Sequence, residues 1–405
     1  MTTPASAPAL PADADRLRVG LVSYIRSRGT FRTAAVEEAF CRLPRHLFLP
    51  GVSLRDAYAP KVVITKRGHD GAAVSSASHP NMVAAMLEQL EVRPGHRVLE
   101  IGTATGINAG LLTDLTEPRG LITTIEIDPE LTHGARSALA AAGYGNVEVI
   151  CGDGALGHPP GAPYDRIIVT AGAWDIPAPW WDQLAPRGRL VVPLRLHRSD
   201  LTRCVAFDRR GPDKMTSVSA RMCGFVPLTG TCSATACVVP LADDITISVD
   251  PAEADISALS QALSYPPRRE WTGIVADFDP AEHLDLWLAT TSTGFSRVAE
   301  SHQARESGKV TPARRWGGAA LHDGAGTMAY IALRPAPDGA DELGVTAHGP
   351  ASGTLIARAT TLLHRWHNEK PGEPLITACP ADTPEHHIPD GARILRPATT
   401  LTIAW

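Results

Sequence analysis

Val98-Leu99-Glu100-Ile101-Gly102-Thr103-Ala104-Thr105-Gly106, the stretch VLEIGTATG, decides the fold. A short apolar run closes on an acidic residue, turns at glycine, and passes into INAGLLTDLT, which has helical spacing. A strand that turns directly into a helix leaves backbone N–H groups and a bare glycine surface beside the strand's carboxyl end, a pocket of the nucleotide-binding type. The GxGxxG dinucleotide fingerprint is not met, because Gly102 and Gly106 flank Ala104 where that pattern has glycine. NAD and FAD are therefore disfavoured.

Outward from this stretch the same grammar repeats. LITTIEID (121–128), NVEVICGDG (146–154), YDRIIVTAG (164–172) and GRLVVPL (188–194) are apolar runs separated by helices or loops. Strands alternating with helices predict an α/β, Rossmann-like parallel sheet covered on both faces. Glu126 ends the second strand, where a carboxylate can accept both hydroxyls of a ribose, and Asp153-Gly154 ends the third, placed to meet an adenine edge. Upstream, amphipathic helices are expected over 13–28 and 33–42, and a helix begins at Pro80 and stops at Pro94-Gly95. Residues 61–78 have no clean period.

Beyond about residue 240 the texture changes. ITISVD, helical PAEADISALSQAL and AEHLDLWLATT, a long helix near 350–368, LITACP and LTIAW amount to one further α/β (α+β) domain. The expected division is a flexible tail over 1–13, a catalytic domain over 14–237 and an accessory domain over 238–405.

Bulk numbers agree with two cores: the chain has 405 residues, 44% hydrophobic and 20% charged. A net charge of −5 removes the broad cationic field that nucleic-acid or acidic-membrane binding needs, so neither is an expected partner. Seven cysteines, an odd number without a CxxC pair, suit a reducing, cytoplasmic setting. No stretch is long and apolar enough to span a bilayer. His364, His367, His386 and His387 lack converging ligands, and no metal is expected.

LPRHLFLP (43–50) with Ala57-Tyr58, VLEIGTATG, GYGNVEVICGDG (143–154), APYDRIIVTAGAWDIPAPWWDQLAPRGRLVVPL (162–194) and GFVPLT (224–229) occur in one unbroken order. Over about residues 38–230 the chain resembles the protein-L-isoaspartate (D-aspartate) O-methyltransferase family. The resemblance implies a class I methyltransferase fold, carboxyl O-methyl transfer, and S-adenosyl-L-methionine as cofactor with S-adenosyl-L-homocysteine as product. It implies that Ser75, Ser76, Ala77, Ser78, Val83, Glu100, Gly102, Thr103, Ala104, Gly106, Glu126, Ile127, Asp153, Gly154 and Thr229 line the cofactor site. Ser76-Ala77-Ser78-His79-Pro80 occupies the family's catalytic loop, which makes Ser78 the catalytic hydroxyl that contacts the substrate carboxyl. By itself Ser78 before Pro80 reads first as a helix N-cap, and the matching frame on both sides turns that reading toward the catalytic one. Lys66, Ser78, His79 and Trp174 are the candidate substrate contacts; Arg67, Arg314 and Arg315 are further cations an acidic peptide could meet. Two features depart from the family: Ala104 replaces a glycine, and KVVITKRGHDGAAV (61–74) differs from its short Gly-Gln loop.

Methyl transfer to a carboxylate needs no strong base, since Asp ionises near pH 3.9. The resulting ester invites attack by the neighbouring backbone nitrogen, giving a succinimide (aspartimide) that can hydrolyse to isoaspartate. The extra C-terminal residues resemble the extended enzymes of ribosomal peptide pathways (lanthipeptides, graspetides, lasso peptides). That likeness predicts an Asp-containing, already cyclised precursor peptide as substrate. General repair of isoaspartyl proteins and a non-catalytic peptide-binding role are the alternatives.

Overall fold

The computed structural model describes residues 11–69, 71–232, 236–276, 283–314, 317–336 and 340–405. The N-terminal part holds α1 (Pro11–Ser27), α2 (Ala34–Arg42), α3 (Leu54–Ala57), β1 (Val63–Arg67), β2 (Ala73–Ala77) and α4 (Pro80–Leu90). Helix α1 starts inside the expected tail, whose residues 1–10 lie outside the described residues. The aperiodic 61–78 segment is an antiparallel hairpin, β1 on β2, with two register shifts that blur its alternation.

The Rossmann-like core follows as β3 (Arg97–Ile101), α5 (Ile107–Thr116), β4 (Leu121–Glu126), α6 (Pro129–Ala141), β5 (Glu148–Cys151), β6 (Tyr164–Val169), α7 (Ala178–Gln183) and β7 (Leu184–His197). Helix α6 starts where Asp128 accepts the N–H groups of Glu130 and Leu131 and Pro129 sets the first turn. The chain then reverses into the antiparallel strands β8 (Leu201–Arg209) and β9 (Met215–Met222).

Next come β10 (Cys237–Ala242), β11 (Ile245–Val249), α8 (Ile256–Ser260), β12 (Arg268–Ala276), α9 (Leu284–Thr291), β13 (Phe295–Glu300), α10 (His302–Glu306), β14 (Gly318–His322), β15 (Met328–Pro335) and β16 (Asp341–His348). Their strands form a seven-stranded sheet in the order β10-β11-β13-β14-β15-β16-β12. The helix expected over 251–263 shrinks to α8 and a short 3-10 turn, because Asp255 caps it from within by accepting the Ala258 N–H. The long helix α11 (Ser352–Glu369) leads into β17 (Leu375–Pro380), β18 (Ala392–Leu395) and β19 (Thr399–Ala404).

These last strands correct the expected division at 237/238. They return to the first sheet, where β17 pairs with β9, and the ten-stranded order is β18-β19-β17-β9-β8-β7-β6-β3-β4-β5. The core is shared as well. Alternate residues of the strands face opposite ways. Val98, Ile168 and Val191 pack with the N-terminal helices. Leu99, Ile167, Val169 and Leu190 join one cluster with Trp287 of α9, Leu355 and Leu363 of α11, and Ile331 and Val345 of the second sheet. Helices α9 and α11 therefore contribute to the main core. Arg203 of β8 and Asp285 of α9 add a buried ion pair across this junction.

Strand β3 has β4 on one side and β6 on the other, both parallel to it. The chain order reverses there, and in open α/β sheets the crevice at the carboxyl ends of such strands is where ligands bind.

Candidate active site

The turn after β3 is built by hydrogen bonds to the next strand. The N–H groups of Gly102 and Thr103 both donate to the Ile125 carbonyl, at 2.8 and 3.1 Å, and the Gly106 N–H closes onto Thr103 at 2.9 Å. Gly102 has φ +98°, and a β-carbon there would sit 2.7 Å from Thr170 Oγ1. Glycine is thus required by both backbone and space. Ala104 adopts φ +46° with a side chain in place, a conformation costing about 1–2 kcal/mol per residue.

Two carboxylates serve this turn differently. Glu126, at the end of β4, accepts the Ala104 N–H at 2.9 Å through Oε2 and the Asp128 N–H at 3.2 Å through Oε1. Each oxygen keeps a lone pair for another donor. Glu100 is fully buried beneath the turn. Its oxygens accept from Asn108 Nδ2 at 2.8 Å and Thr124 Oγ1 at 2.7 Å. Burial, with the neighbouring Glu126 charge adding, pushes its pKa up to about 7 against the pull of those two bonds. Glu100 braces the turn from below and does not face the crevice, which corrects its expected place in the cofactor lining.

Asp153 follows β5 and accepts the Ala155 N–H at 2.9 Å, the Thr231 N–H at 3.0 Å and the Thr231 hydroxyl at 2.9 Å. Burial alone would raise its pKa, but these donors outweigh it and hold the carboxyl below its ordinary range. Trp180 Nε1 donates to the Gly154 carbonyl at 2.9 Å. The crevice between these carboxyl ends presents Glu126, Asp153 and the exposed side chain of Ile127. A nucleoside fits such a donor set: an acidic group for ribose hydroxyls beside an apolar edge for a base.

Residues 17–233 match the family model described as protein-L-isoaspartate(D-aspartate) O-methyltransferase (PCMT). The chain belongs to the protein-L-isoaspartate (D-aspartate) O-methyltransferase family. Membership makes it an S-adenosylmethionine-dependent carboxyl methyltransferase. It is similar to protein-L-isoaspartate O-methyltransferases of Methanopyrus kandleri, 44% identical over 44% of this chain and 77% of that one, and of Hyperthermus butylicus, 40% identical over 52% and 87%. A solved structure named protein-L-isoaspartate O-methyltransferase shares the fold at TM-score 0.52 and 20% identity. It covers 96% of this chain and 99% of its own.

Within this family frame, Ser75 is buried and accepts the Thr65 hydroxyl at 2.9 Å, while Ser76 pairs with Ile64 across the hairpin. Ala77 and Val83 lie in the hydrophobic core, so their side chains pack there and do not line an open pocket. Ser78 is half-buried, and its carbonyl accepts from Arg45 at 3.4 Å. Its hydroxyl has no partner among the described residues. The cap of α4 is His79, whose Nδ1 accepts the Asn81 N–H at 3.2 Å. That removes the N-cap reading of Ser78 and gives His79 a structural task.

The expected roles of Lys66 and Thr229 change. Lys66 is held by Asp128 at 2.6 Å and Glu130 at 2.7 Å, so it ties the hairpin to the β4–α6 turn and is not a free cation. Thr229 is exposed with no side-chain bond among the described residues, and Thr231, two residues on, is the one that meets Asp153. Nothing in the motif order distinguishes the two threonines. Trp174 is half-buried and carries the Arg396 guanidinium 3.3 Å from its ring centroid. Arg314 has a partner in the Met222 sulfur, and Arg315 lies outside the described residues. Among the described residues no helix is long and apolar enough to cross a membrane.

Proposed function

We propose that the chain methylates the side-chain carboxyl of isoaspartyl residues in peptides and proteins, the repair-type activity of its family. What carries this reading is the family-model match over residues 17–233, with Glu126 and Asp153 at the carboxyl ends of β4 and β5 beside the point where the strand order reverses; the hairpin that leads to Ser78 is tied to the β4–α6 turn through Lys66 and Asp128.

In this reading Glu126 holds the ribose hydroxyls, Asp153-Gly154 the adenine edge, and the Gly102–Gly106 turn the amino-acid end of the cofactor. S-adenosylmethionine supplies a sulfonium methyl group to an already ionised carboxylate. Ser78 donates to one carboxylate oxygen and leaves the other free to attack in line. Fixing three atoms in line is worth up to about 7–11 kcal/mol. The ester then loses methanol to the adjacent backbone nitrogen, closing a five-membered imide without the enzyme, and hydrolysis returns part of it as normal aspartate.

The precursor-peptide reading rested on length. A solved structure bearing the isoaspartyl name has the same extended layout along nearly all of this chain, so length no longer separates the two. What favours the second reading is the divergent 61–74 hairpin alone. The test is methyl transfer to a generic isoaspartyl peptide, to its Asp counterpart, and to linear and macrocyclic acidic peptides. Turnover of the isoaspartyl peptide is expected. Transfer confined to the macrocyclic Asp peptide would replace repair by tailoring.

A further inference from the structure

Past the end of β6 the chain runs Thr170-Ala171-Gly172-Ala173-Trp174, along the rim of the crevice. Thr170 Oγ1 donates to the Ile101 carbonyl at 3.0 Å, directly under the Gly102 turn. Gly172 exchanges hydrogen bonds with Val226 and Leu228, each 2.8 Å, at the start of the segment that reaches Asp153. The loop that leads to Trp174 is thus tied both to the Gly102 turn and to the segment whose Thr231 meets Asp153. The turn between β18 and β19 packs on the same loop: the Ala398 N–H donates to Asp175 at 2.7 Å and the Thr399 hydroxyl to the Ile176 carbonyl at 2.8 Å.

That turn delivers Arg396. Its guanidinium carbon lies 3.3 Å from the centroid of the Trp174 indole, with Arg198 at 5.3 Å and Arg195 at 5.7 Å from the same ring. The neighbours have acidic partners: Arg195 pairs with Asp200 at 2.9 Å and Arg198 faces Asp250 at 3.5 Å. Asp175 is committed to the amides of Ile176 and Ala398. Arg396 is only 8% exposed. Among the described residues it has no carboxylate within ion-pair distance, its Nε is buried without an acceptor, and its one side-chain hydrogen bond is a long 3.4 Å contact to the Arg195 carbonyl. Burial lowers its pKa to about 10, the Arg198 charge adding to the effect, so it stays charged at neutral pH.

A planar fork with five donors, stacked on an aromatic face and stripped of water, lacks one thing: a bidentate anion. We propose that Arg396 and Trp174 form a carboxylate-binding subsite that holds a second acidic group of the peptide substrate, other than the one methylated. The inference rests on the methyltransferase reading for its substrate. The subsite selects among isoaspartyl peptides by charge, and its cation, Arg396, comes from beyond the family-matched segment, while Trp174 lies within it.

The test is calorimetric binding to the protein loaded with S-adenosylhomocysteine, so it needs no turnover. Four isoaspartyl peptides of one sequence are compared: with a flanking Glu and a free C-terminus, with Glu replaced by Gln, with an amidated C-terminus, and with both changes. The doubly neutral peptide is expected to bind at least about tenfold more weakly, as losing a charge-assisted hydrogen bond implies. The single changes show whether the side chain or the α-carboxylate is read. Arg396→Gln abolishes this discrimination and leaves the neutral peptide and the cofactor product unaffected. Arg396→Lys, which keeps the charge and loses the fork, reduces it. Equal affinity of all four peptides for the wild type overturns the proposal, as does an equal loss for all four in Arg396→Lys. Charge discrimination in a protein that methylates none of them supports the subsite and sinks the proposed reaction.

Discussion

Glu126 reaches across the crevice floor to Ala104, its Oε2 accepting the Ala104 N–H at 2.9 Å. One carboxylate thus shapes the turn and is available at the end of β4 for a ligand hydroxyl. Glu126→Gln turns half of that group into a donor facing a donor. Loss of a charged hydrogen-bond acceptor predicts about a ten- to hundredfold weaker affinity for S-adenosylhomocysteine, measured by calorimetry, with the fold retained by circular dichroism. Unchanged affinity would remove Glu126 from the cofactor site.

Ser78 has neither a capping task nor a side-chain partner among the described residues, because His79 caps α4. Ser78→Ala is expected to bind cofactor product normally and to lose about tenfold or more of methyl transfer, the scale of one hydrogen bond to a charged group. Single-turnover transfer to an isoaspartyl peptide checks this, and a wild-type rate would exclude the hydroxyl from the reaction.

Glu100 makes stability depend on pH. Its pKa of about 7 in the folded protein lies above the ordinary 4.5. The folded state therefore favours the protonated form: its stabilising contribution is full below about pH 4.5 and is lost as pH rises through 7. The loss is on the order of 3 kcal/mol at high pH. Melting temperatures from pH 5 to 8 should fall more steeply for the wild type than for Glu100→Gln, which carries no charge at any pH. Parallel curves would refute the assignment.

Ala104 occupies a left-handed conformation that glycine adopts freely. Ala104→Gly should raise stability by about 0.5–1 kcal/mol, strain relief exceeding the added chain entropy. Denaturant unfolding reads the change; destabilisation would show that the methyl group packs against something the turn needs.

Much of this site was legible from residues alone. The VLEIGTATG turn, the acidic ends of β4 and β5, and the alternation of strands with helices are local signals, set by side-chain period and by glycine's access to positive φ. They sufficed for the fold class, the crevice and the family. Within that frame, residue type could not separate Glu100 from Glu126: both end apolar strands, and only their surroundings put one beneath the turn and the other at its rim.

The remaining decisions are long-range. Lys66 is consumed by Asp128 and Glu130, Thr231 rather than Thr229 meets Asp153, and β17–β19 rejoin the first sheet across the whole accessory segment. Arg396 reaches Trp174 from more than two hundred residues away. By itself the sequence determined the strand–turn–helix chemistry, since neighbouring residues and backbone sterics write it. Tertiary structure alone decided which charges are spent, which are braced and which stay open, because pairing between distant side chains depends on how the sheets close and leaves no period in the chain.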